Sequence, residues 1–179
     1  LGDWLAVMPV FEAEDLLGFT AMRARLPDVG GPLPGSASAG AGALFGEGLR
    51  IPHVKLFERG ELHRAALELV LANARAPEVN RNTVMALVDG CQAGAERVRE
   101  LCRRFGRERY AEACEALLAA SNKAMRRLIV DSLTEEPHAF EDVIDDDGRV
   151  NGPFRLRLTV WREGEQAFFD WTGTAPQAP

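Results

Sequence analysis

The segment from Gly30 to Gly48 carries seven glycines and two prolines, and its apolar residues follow a spacing of neither two nor 3.6. Glycine frees the backbone and proline removes a donor, so no helix or regular strand can run through it. It is entered through "ARLPDVGGPLPGS", Ala24 to Ser36, in which Asp28 is the one carboxylate. Such a stretch lets the backbone approach a ligand or another chain closely. Periodic structure has to lie on either side of it.

Upstream, Leu5, Val7, Val10 and Phe11 form an apolar run interrupted by Pro9, "EAED" reads as a turn, and "LLGFTAM" follows. A hairpin of Leu5–Phe11 with Leu16–Met22 is expected. Downstream, Glu61 to Leu133 is helical in pattern. Leu62, Ala65, Ala66, Leu69 and Val70 recur at helical spacing, and Tyr110, Cys114, Leu117, Leu118, Met125, Leu128 and Ile129 share a stripe. "NARAPEVNRN" reads as an interruption, with Pro77 and two asparagines as breakers, and Gly106 separates two helices. Near the end, "FRLRLTVW" alternates strictly, "REGE" turns and "QAFFDW" returns, which predicts a hairpin with a four-residue loop. The succession of strands, helices and strands implies a mixed α/β fold of the α+β kind. Its zones are 1–57 (strand hairpin and glycine-rich loop), 58–135 (helical) and 136–179 (C-terminal strands and tail). The missing initiator Met and the uncapped tail suggest one incomplete domain.

Net charge is −6 with pI near 5.2, which disfavours nucleic-acid or anionic-membrane partners. No apolar run reaches the roughly 20 residues that span a bilayer. Cys91, Cys102 and Cys114 show no CxxC spacing and read as reduced thiols of a cytoplasmic protein.

The chemistry-bearing residues are few. The three histidines, His53, His63 and His138, are far apart, so no metal site is expected; Asp28 and His53 are the only weak candidates. His63 falls on a charged helix face and His138 in a loop beside Pro137. "DDDGR", Asp145 to Arg149, lacks the Glu that would complete a calcium loop, because its twelfth position is Leu156. It reads instead as a turn with Gly148 at positive φ. Neither a P-loop nor a G-x-S-x-G elbow is present, so an ATP site would have to lie on another chain. Glu47, between Gly46 and Gly48, is the second carboxylate in glycine surroundings.

Taken in order, "MPVF", "LLGFTAMRARLPDVGG", "PGS", "EGLRIPHVKLFERGEL", "NARAPEVNRN", "LCRRFGRERY", "DDDG" and "FFDWTGTAPQ" resemble the hydantoinase B family. That family includes 5-oxoprolinase B parts and the acetone and acetophenone carboxylase subunits. The similarity covers essentially the whole chain, which looks like an internal fragment of a longer subunit.

The resemblance implies a hetero-oligomer with a hydantoinase A-like subunit that binds ATP and Mg. ATP would activate a small carbonyl compound by phosphorylation, and hydrolysis would then open a cyclic amide such as hydantoin or 5-oxoproline. The alternative is a subunit of an ATP-dependent ketone carboxylase, or a degenerate scaffold without chemistry of its own. A mixed α/β interaction module is the bland reading.

Metal-bearing members have a loop similar to H-x-x-D-[IV]-G-G, to which Asp28, Gly30 and Gly31 correspond. Arg25 stands at the histidine, with Leu26 after it, and Arg50 stands where the carboxylase branch supplies another. Asn82-Thr83 replaces a later G-D pair. A guanidinium cannot ligate a cation. The expectation is therefore that Asp28 and Arg25 act at the site, salt-bridged to each other. Gly30, Gly31, Ser36, Glu47 and Arg50 would surround a bound anion or substrate.

Overall fold

The computed structural model describes residues 3–35, 43–148 and 150–178. In chain order the elements are β1 (Asp3–Glu12), β2 (Asp15–Arg25), a 3-10 turn (Leu44–Glu47), β3 (Phe57–Glu58), β4 (Glu61–Leu62), α1 (Arg64–Leu71), α2 (Pro77–Phe105), α3 (Arg107–Ser132), β5 (His138–Ile144), β6 (Phe154–Glu163) and β7 (Gln166–Asp170). The chain divides into two compact units, 1–107 and 108–179.

In the first unit β1 and β2 form an antiparallel hairpin with Val7 opposite Ala21 and a register shift between Val10 and Phe11. The pleat sends Val10 inward, fully buried, and leaves Leu5, Val7 and Phe19 outward. The hairpin packs on α2. Its approach is close because α2 presents Gly90 and Gly94 there: a Cβ on Gly94 would meet the Thr20 methyl at 3.0 Å, and one on Gly90 the Met22 side chain. Thr20 Oγ1 donates to the Cys91 carbonyl at 2.9 Å, which locks strand to helix between the two glycines.

Helix α2 starts with Pro77 in its first turn, where the missing N–H is no loss, and ends at Gly106 with φ 88. Its buried residues, Asn80, Val84, Leu87, Val88, Cys91, Ala95 and Cys102, fall on one face. The asparagines expected to break the helix instead lie within it. A hydrophobic cluster of Leu26, Val29, Leu67, Leu71 and Val84, flanked by Trp4, Leu56 and Leu62, joins the loop after β2 to α1 and α2. His63 occupies the N-cap position of α1, without a side-chain capping hydrogen bond, rather than riding on its face, and lies 3.5 Å from Glu58.

In the second unit, α3 has no buried residue, and Leu117 and Leu118 of its apolar stripe are largely exposed. The C-terminal strands form a three-stranded antiparallel sheet, β5-β6-β7, not a bare hairpin. The β6–β7 turn is the two residues Gly164 and Glu165, tighter than the four expected, and Trp161 stacks on Phe168 across it at 5.3 Å. His138 opens β5 opposite Val160 instead of lying in a loop. Gly148 turns at φ 76, with its N–H donating to Asp146 Oδ1 at 2.7 Å, as the turn reading requires. The tail returns along β6, where the Ala175 N–H donates to the Arg155 carbonyl at 2.7 Å.

Candidate functional site

Three segments of the first unit converge on the loop that follows β2. Leu26 is fully buried in the core and Val29 nearly so, which anchors the loop on both sides of Asp28. Asp28 is itself only 2% exposed. Its Oδ1 accepts from Arg75 Nη2 at 2.6 Å and from the Gly30 N–H at 3.1 Å. Its Oδ2 accepts from Arg75 Nε at 2.9 Å and from the Arg75 backbone N–H. The guanidinium also donates to the carbonyls of Gly31 at 2.9 Å and Pro32 at 3.4 Å. A bidentate fork of this kind fixes both distance and plane.

The expected Asp28–Arg25 salt bridge is not formed. Arg25 is the last residue of β2 and pairs with Asp3 at 3.5 Å, while Asp28 takes Arg75. The pleat explains the difference: the buried Leu26 after Arg25 turns inward, so Arg25 points out toward the neighbouring strand.

A second hub is Asn80. Fully inside α2, it donates its amide to the Asp28 carbonyl, while its Oδ1 has no hydrogen-bond partner among the described residues. It ties the loop to the helix across 52 residues of sequence.

The glycines serve contact between chain segments. Gly30 and Gly48 form an antiparallel bridge, and the Leu49 N–H donates to the Val29 carbonyl at 2.6 Å. A Cβ on Gly30 would lie 2.5 Å from the Asn73 carbonyl, and one on Gly31 would lie 3.0 Å from that of Glu47. Gly30, Gly31 and Glu47 are thus brought together, at the crossing of two glycine segments and the α1–α2 turn. Arg50, just beyond the crossing, lays its guanidinium over Phe45 at 5.4 Å. His53 is exposed in the following loop. Ser36 lies outside the described residues.

The Arg75 guanidinium holds the Asp28 carboxyl far below the usual carboxylate range, outweighing the opposing effect of burial. A depressed folded pKa means that the unfolded chain takes up the proton first as pH falls. The pair therefore stabilises the fold fully above the unfolded value near about 4, and this contribution is lost below it. Denaturation midpoints are expected to fall progressively as pH drops below about 4 toward the lowered value of the folded state, and Asp28→Asn is expected to flatten that fall. An unchanged slope in the variant would contradict the pairing.

Arg75 and Asn80 are the residues that sequence reasoning passed over. Their signal lay in "NARAPEVN": a proline at a helix start puts the preceding residues in a turn that can reach back over a neighbouring loop. Among the described residues no helix is long and apolar enough to cross a membrane.

Comparisons with known proteins agree with this architecture. The chain is 29% identical over 174 residues to a protein described as the B-type component of a D-/L-hydantoinase of Pseudomonas sp. (strain NS671), covering 95% of this chain and 29% of that one. Its structure is similar to that of the ATP-dependent caprolactamase of Pseudomonas jessenii, with TM-score 0.86 and 27% identity over 94% of this chain and 29% of that one. A nucleotide-free acetone carboxylase shares the fold at TM-score 0.84 and 17% identity, over 97% of this chain and 24% of that one. The chain thus spans under a third of the length of each. The model of the hydantoinase B/oxoprolinase family matches residues 1–179, and with the glycine crossing and its flanking strands and helices in place, the chain belongs to that family.

Proposed function

We propose that this chain is part of the B-type subunit of a cytoplasmic, ATP-dependent enzyme that hydrolyses a cyclic amide. It would work in a hetero-oligomer with an A-type subunit holding ATP and Mg. The observation that carries the reading is the likeness to the ATP-dependent caprolactamase, at 27% identity over nearly the whole chain. The hydantoinase relative points to the same substrate chemistry, an amide closed in a ring.

An amide resists water because its nitrogen is a poor leaving group and its carbonyl is resonance-stabilised. Transfer of a phosphoryl group to the amide oxygen removes that resonance and gives ATP a reason to be consumed. Within this chain Arg50, just beyond the glycine crossing, would bind the developing anion, since guanidinium suits carboxylate and phosphate geometry, and Arg25 would join it only by leaving Asp3. Asp28 would act on the same site by holding the loop rather than by touching the reacting atoms.

The test is a substrate panel for the purified complex of this subunit with its A-type partner, read as ADP release. Caprolactam, hydantoin and 5-oxoproline form one arm; acetone or acetophenone with bicarbonate forms the other. ADP release that requires a cyclic amide is expected. Release only with ketone and bicarbonate would overturn the hydrolase reading in favour of carboxylation.

A further inference from the structure

We infer that Asp28, with the Arg75 guanidinium as its fixed counter-ion, is closed to a divalent metal, so that the loop from Asp28 to Pro32 is built without one. The inference rests on the family assignment and not on the reaction proposed above.

The donor set is the first ground. An ionised carboxylate offers about four lone-pair positions. Asp28 spends them on four donors: Arg75 Nε, Arg75 Nη2, the Arg75 N–H and the Gly30 N–H. With its side chain almost wholly buried, it has no face left toward an incoming ion.

The cradle is the second. Asp28 Oδ1, Asp28 Oδ2, the Gly31 carbonyl and the Pro32 carbonyl are hard oxygens aimed at one positive group, the kind of set magnesium or manganese takes. Here a planar organic cation fills it. The ligand set is the third. Arg25 takes the place of the loop histidine and turns to Asp3, and His53 is exposed. No group of three His, Cys, Asp or Glu side chains converges as a metal site among the described residues. The residues present therefore do not fit a family-type divalent site. The lowered pKa of the Asp28 carboxyl and the raised pKa of Arg75 agree with a permanent ion pair.

The experiment compares the full-length subunit as wild type, Asp28→Asn, Arg75→Ala and the double variant. Bound manganese and zinc are measured by elemental analysis after dialysis against each metal, beside thermal unfolding. Asp28→Asn is expected to leave the metal content unchanged. Arg75→Ala, which strands a buried carboxylate, is expected to lower Tm by at least about 5 °C, and the double variant to fall no further than the worse single one. Should Arg75→Ala fail to fold, Arg75→Lys supplies the same cycle with a smaller fall, since the charge stays and the fork is lost. Loss of one metal equivalent in Asp28→Asn, or simple addition of the two Tm shifts, would overturn the inference. None of these readouts depends on turnover, so they stand apart from the outcome of the substrate panel.

Discussion

Gly48→Ala is expected to destabilise the first unit by about 3 kcal/mol or more, a fall in Tm on the order of 10 °C. Gly48 sits at φ 108 and ψ −157, a region that residues with a Cβ scarcely enter. The added methyl would also collide with the Val29 carbonyl oxygen and lie 2.8 Å from the Gly31 nitrogen, both backbone atoms. A flexible side chain could swing away from such a contact, but these atoms cannot move without opening the Gly30–Gly48 bridge. Gly60→Ala is the control. It has a similar positive φ of 84 but nothing within 4 Å, so only the backbone penalty of about 1–2 kcal/mol remains. Denaturant unfolding of the two variants shows how much the conformation and the collision at Gly48 together cost beyond an ordinary positive φ. Equal losses would mean that the two glycine segments do not cross as described.

Leu26→Ala is expected to cost about 3–5 kcal/mol, because Leu26 is fully buried in the cluster with Val29, Leu67, Leu71 and Val84. The position matters for the site as well as for the core. Leu26 lies two residues before Asp28, so a void there frees the loop that Arg75 and Asn80 hold. Leu26→Met, which roughly conserves volume, is expected to cost under about 1.5 kcal/mol. Chemical denaturation measures both, and a Leu26→Ala loss as small as that of Leu26→Met would place Leu26 outside the core.

The hairpin of β1 and β2 was legible in the sequence because its two strands are consecutive, apolar and joined by a polar turn. Strand β6 was legible by its strict alternation. Strand β5 was not. In "HAFEDVI" both faces mix apolar and acidic residues, and every residue is exposed, so it has no period to read. It exists because its backbone pairs with β6. The length of α2 was hidden for a related reason: Asn80 and Asn82 have poor helix propensity, and tertiary contacts override it. Asn80 is buried and bonded to the Asp28 carbonyl, a contact no local rule anticipates.

The same limit applied at the site. Glycine-rich composition marked Gly30, Gly31 and Glu47 as residues around a bound anion or substrate, not as residues packed on one another, and Asp28 stood out as an isolated carboxylate. Its partner did not, since Arg75 lies 47 residues away while Arg25 lies three. Proximity in sequence favoured Arg25, and alternation along β2 turned it outward. Glycine-rich composition suggested close approach to a ligand or to another chain, whereas at Gly30, Gly31 and Gly48 the backbone approached is that of this same chain.

Coupling of ATP to ring opening is tested most directly by counting both products in one reaction of the complete complex. ADP and the ring-opened amino acid are expected to appear in a ratio of about one to one, and neither to form when this subunit or its A-type partner is left out. Ring opening without ATP, or ADP release with no ring opened, would contradict it.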